Sequence, residues 1–84
     1  MLSVVFFASV REQLGVGQVD REWDVSLSSV AKLLSSMVED NGEKWEQVLM
    51  RSNLLVAINQ EMAGLDAPIK DGDEIAFFPP VTGG

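Results

Sequence analysis

The chain has 84 residues, enough for one domain with a modest core and too few for two. It contains no cysteine and no histidine, which removes disulfides, thiolate and imidazole metal ligands, a cysteine nucleophile and a histidine base. A net charge of −7, from 13 acids against 6 bases, argues against nucleic acid and anionic membrane as partners and favours a basic protein surface.

In chain order, Leu2–Val10 reads as a strand from its Val and Phe content. Leu2, Val4, Phe6 and Ala8 fall on one face, and Ser3, Val5 and Phe7 on the other. The stretch 11–17, with glycines at 15 and 17, has room for one helical turn before a loop. Residues 18–25 alternate Val19, Arg21, Trp23 and Val25 against polar residues, which predicts a second strand in a hairpin with the first. The period then changes. Leu27, Val30, Leu34 and Met37, widened by Leu33, predict the main helix over 26–42, with Ser26 as its N-cap and Asn41-Gly42 as its stop. Residues 43–50 suit a short second helix with Trp45, Val48 and Leu49 inward. Residues 53–59 predict a third strand, Met62 marks a short edge strand, and Gly72 suits a turn needing a positive φ. Residues 74–78 predict a final strand, with Ile75 and Phe77 opposite Ala76 and Phe78. No apolar run approaches a membrane span, and a strand beginning at residue 2 leaves no place for a signal peptide, so the expected compartment is the cytoplasm.

Two strands, a helix and further strands predict an α+β fold. A mixed sheet of four to five strands carries one main helix across one face, and the crossover pairs a later strand in parallel with the first. This is the plan of a ubiquitin-like β-grasp. The expected division is a β-grasp domain over 1–78 and an extended tail over 79–84.

The tail, Pro79-Pro80-Val81-Thr82-Gly83-Gly84, carries the chemistry. Two prolines lack amide donors and cannot continue a sheet ladder. Six extended residues reach roughly 20 Å. Gly83 and Gly84 have no Cβ, so a narrow channel can close around their backbone. The terminal carboxylate is ionised at neutral pH and inert as an electrophile. It reacts only after activation, most simply by adenylation with ATP on a partner enzyme.

"VVFFASVRE" (4–12), "VAINQ" (56–60) and above all "DGDEIAFFPPVTGG" (71–84) resemble the small subunits of molybdopterin synthase, the MoaD-type sulfur carriers, over essentially the whole chain. The resemblance implies a non-catalytic carrier subunit. A ubiquitin-activating-like adenylyltransferase adenylates Gly84, which then becomes a thiocarboxylate. The tail with Gly83 enters the large synthase subunit, and sulfur passes to a cyclic pterin precursor to form the molybdopterin dithiolene. Two carriers and two large subunits form a heterotetramer. The carrier holds no cofactor of its own, and the ATP is used by the activating enzyme.

Phe7 and Phe78 are expected together on the sheet face away from the helix, as a partner surface extended by Pro79, Pro80, Val81 and Thr82. By resemblance Met62 adds a third apolar contact and Arg11 a polar contact to the large subunit. From the residues alone, Arg11 reads as a solvated surface arginine. Phe6 and Phe77 are assigned to the core. Asp71, Asp73 and Glu74 lack the spacing of a calcium loop and are expected to bind no metal. Three other functions fit a β-grasp with a terminal Gly-Gly: a sulfur carrier for thiazole synthesis or tRNA thiolation, a ubiquitin-like protein modifier, and an interaction module with an idle terminus.

Overall fold

The computed structural model describes residues 1–50 and 53–80. β1 (Leu2–Phe6) alternates as its sequence demands, with Leu2, Val4 and Phe6 buried and Ser3 and Val5 partly exposed. The strand ends earlier than expected. Ala8 takes φ 52°, which turns the chain out of the sheet into α1 (Ala8–Leu14). Val10 and Leu14 are four apart and both buried, so helical spacing, not strand alternation, governs this stretch.

β2 (Gln18–Arg21) pairs antiparallel with β1 and stops four residues short of the expected end. Asp24 accepts hydrogen bonds from the hydroxyl and amide of Ser26 and caps a 3₁₀ turn over Val25–Leu27. These bonds, the hydroxyl's first, hold the Asp24 carboxyl below its ordinary range. Val25, expected at the end of a strand, lies in this turn instead and is 78% exposed.

α2 (Val30–Asn41) begins at Ser29, not Ser26. The Ser29 hydroxyl accepts from the Lys32 amide at 3.3 Å. The Val30 and Ala31 amides donate to the carbonyls of Ala67 and Leu65, so a distant loop satisfies part of the first turn. The expected stripe is buried: Leu27, Val30, Leu33, Leu34 and Met37. Gly42, at φ 89°, ends α2 and opens α3 (Glu43–Leu49). Val48 and Leu49 of α3 are buried, and Trp45 packs edge-on to Phe6 with ring centres 5.5 Å apart.

β3 (Leu55–Ile58) and β4 (Glu61–Ala63) form a hairpin through Asn59 and Gln60, both at positive φ. β5 (Glu74–Phe78) lies between β1 and β3. The sheet order is β2-β1-β5-β3-β4, with β1 and β5 parallel and all other pairs antiparallel. The expected crossover and β-grasp plan are present, with five strands and three α-helices among the described residues. One core joins Leu2, Val4, Phe6, Ile75 and Phe77 to the buried stripe of α2 and the ends of α1 and α3. No described helix is long and apolar enough to cross a membrane.

Candidate functional site

The central strand β5 carries the chain to its tail. Its two-fold alternation buries Ile75 and Phe77 and leaves Ala76 and Phe78 on the opposite face, partly exposed. Phe77 stacks on Phe6 with ring centres 6.1 Å apart. The register Phe6↔Phe77, with the Phe7 amide donating to the Phe77 carbonyl at 3.1 Å, sets Phe7 and Phe78 side by side across two strands. Phe7 is 50% exposed. The expected pairing of these aromatics on one face is therefore present.

The sheet adds Leu55 and Ala57 to this face, on which alternation had already set Val5 and Ala76. Leu55 pairs with Phe78 across β3 and β5. One row back, Val5, Ala76, Ala57 and Met62 follow one another across four strands, from Val5↔Ala76 through Ala76↔Ala57 to Ala57↔Met62. Met62, 63% exposed, sits on the edge strand as expected and joins this row. Leu55 was hidden because Leu54–Ile58 is a continuous apolar run with no visible alternation.

Pro79 and Pro80 follow β5 directly and are partly exposed, outside any strand. Their missing amides mark where the ladder ends. Val81, Thr82, Gly83 and Gly84 lie outside the described residues. Arg11 does not simply follow a strand; it is an exposed residue of α1. Its side chain lies over Gly17, where a Cβ would approach Nε to 3.1 Å. The Gly17 carbonyl accepts from the Phe6 amide, so Arg11 belongs to the end of the sheet where the tail leaves. It forms no ion pair among the described residues.

In the turn before β5, Asp73 is buried, with 6% exposure. Its Oδ2 accepts from the Lys70 amide at 2.9 Å and its Oδ1 from Asn59 Nδ2 at 3.0 Å. Asn59 Oδ1 accepts from the Glu74 amide at 3.0 Å, and the Ser3 amide donates to the Asp73 carbonyl at 3.1 Å. This network ties the start of β5 to both neighbouring strands. Among the described residues no group of acids is arranged to hold a metal ion.

The arrangement is thus a tail issuing from the middle of the sheet, beside an apolar face. Among the described residues it assembles no acid–base or nucleophilic side-chain set.

Residues 4–84 match the model of the ThiS family. The chain is 46% identical to the molybdopterin synthase sulfur carrier subunit of Haemophilus influenzae, over the full length of both. Among solved structures, it is similar to the small archaeal modifier protein 1 of Haloferax volcanii, with TM-score 0.72 and 26% identity, covering 95% of this chain and 97% of that one. It is also similar to a chain in the complex of subunits 1 and 2 of the molybdopterin-converting factor from Helicobacter pylori, with TM-score 0.65 and 25% identity, covering 99% and 97%. The fold, the tail and a family match over nearly the whole chain agree: this protein belongs to the ThiS family.

Proposed function

We propose that this chain is the sulfur carrier subunit of a molybdopterin synthase. The carboxylate of Gly84 attacks the α-phosphorus of ATP on an adenylyltransferase and releases pyrophosphate. A sulfur nucleophile then displaces AMP and leaves a thiocarboxylate. The charged tail enters the large subunit, where the sulfur passes to the pterin precursor. A heterotetramer of two carriers and two large subunits in the cytoplasm is the expected assembly. The full-length relationship to a named sulfur carrier supports this reading. The observation that carries it is the exit of the chain: β5 releases Pro79 and Pro80 beside Phe7, Leu55 and Phe78, so docking that face directs the terminus into the partner. The relative's complex of two subunits supports a large-subunit partner.

The deciding experiment incubates the protein with the activating enzyme, ATP and a sulfur donor and reads intact mass. The expected result is the increase for one oxygen replaced by sulfur. The likeness to an archaeal modifier protein favours one second reading, a modifier joined to lysines of other proteins. That reading expects an isopeptide adduct and no sulfur-bearing species.

A further inference from the structure

The sheet face that borders the tail is not apolar throughout. Two residues nearer the start of β1 than Val5, Ser3 pairs with Asp20 on one side and Glu74 on the other. Alternation puts these three on the same face as Val5, Phe7, Ala76 and Phe78. Asp20 and Glu74 are both exposed. Gln18, on that face too, donates to Ser3 Oγ at 2.8 Å and reaches Asp20 Oδ1 at 3.5 Å, so the neighbouring donor is neutral. Among the described residues neither carboxylate has an ion pair. The basic residue next in sequence, Arg21, points to the other face and bonds Asp40 and Ser36 of α2. The strand positions of this face contain no lysine or arginine.

The face is therefore graded. Arg11 and the tail mark one end, the apolar rows with Phe7, Phe78 and Met62 lie in the middle, and two unpaired carboxylates mark the other end. Four residues along β5 separate Phe78 from Glu74, about 13 Å at strand rise. Resting on the reading above, we propose that Asp20 and Glu74 are the electrostatic register of the docking face. They require a basic patch on the large subunit, about 13 Å from the site that receives Phe78. Apolar contact alone tolerates rotation of one surface on another. A charged end opposite the tail selects one rotation, the one that sends the terminus into the pocket, and raises the rate of encounter. A second copy of this chain is a poor occupant, since each copy carries a net charge of −7.

The test measures association of the whole carrier with the large subunit of a molybdopterin synthase at low and high salt. Because both positions are exposed, the double variant Asp20→Lys/Glu74→Lys is expected to fold with an unchanged melting transition. It should associate at least about tenfold more slowly at low salt, and the salt dependence of the wild type should flatten. The neutral pair Asp20→Asn/Glu74→Gln should fall between. Unchanged or faster association of the charge-reversed protein, with Phe78→Ala still weakening binding, overturns the register while leaving the carrier reading intact. If Phe78→Ala also binds normally, the docking face itself is wrong and the register falls with it. Salt-sensitive self-association of the wild type through this face likewise overturns the proposal.

Discussion

Phe77 and Phe78 are chemically identical neighbours in opposite environments. The first is fully buried against Phe6, and the second lies on the exposed face with Leu55 and Phe7. Phe77→Ala is expected to cost about 3–5 kcal/mol in urea unfolding, through lost burial and the cavity left behind. Phe78→Ala should leave the unfolding midpoint nearly unchanged and weaken large-subunit binding, read by titration calorimetry. Asp73 provides a polar counterpart to Phe77. Replacing it by Ala strands the Lys70 amide and the Asn59 side chain, so Asp73→Ala should destabilise by about 2–3 kcal/mol in the same assay. Phe77 and Phe78 were assignable from alternation within one strand. Asp73 was not, because its partners are set by a turn and by a residue 14 positions away.

At the scale of elements, each end is decided by local chemistry that tertiary contacts can override. Serines at 26, 28 and 29 precede α2, and any of them can cap a helix. The 3₁₀ turn consumes Ser26, and the carbonyls of Leu65 and Ala67 meet the amides that follow Ser29. Ser29→Ala should therefore cost about 1 kcal/mol in thermal or urea unfolding, whereas Ser28→Ala should cost little. The β3–β4 hairpin turns on two residues at positive φ, the conformation for which Asn-Gly is favoured. Asn59 suits its place and also clamps β5; Gln60 is the misfit, at φ 71°. Gln60→Gly is expected to stabilise the domain by about 0.5–1 kcal/mol, measured as a raised urea midpoint. The helical turn expected after residue 10 is present, but α1 starts earlier, at Ala8, because Phe7, Ala8 and Val10 continue an apolar strand pattern in the sequence. Only the backbone turn at Ala8 separates the strand from the helix.

For the whole molecule, the position of β5 governs function. A strand paired on both sides is held in one register, and a slip by one residue would exchange Phe77 and Phe78 between core and surface. The tail therefore starts from a fixed point in the middle of the sheet, at the end where Phe7, Leu55 and Phe78 lie. Deleting Gly84 should abolish sulfur loading, seen by intact mass, while large-subunit affinity stays within a few-fold of the full chain, since the docking face is untouched. An interaction module with an idle terminus would be indifferent to that deletion.

The sequence by itself determined the periods of the central strands and the main helix, the buried stripe of α2 and the chemical character of the tail. These follow from local spacing, from proline's missing amide and from glycine's missing Cβ, none of which depends on distant residues. Tertiary structure alone decided which strands became neighbours. Pairing β5 between β1 and β3 brought Phe7, Leu55 and Phe78 together at the tail, and set Asp20 and Glu74 on either side of Ser3 at the far end. That selection comes from burying one face of five strands in a common core, and the composition of the opposite face is its consequence.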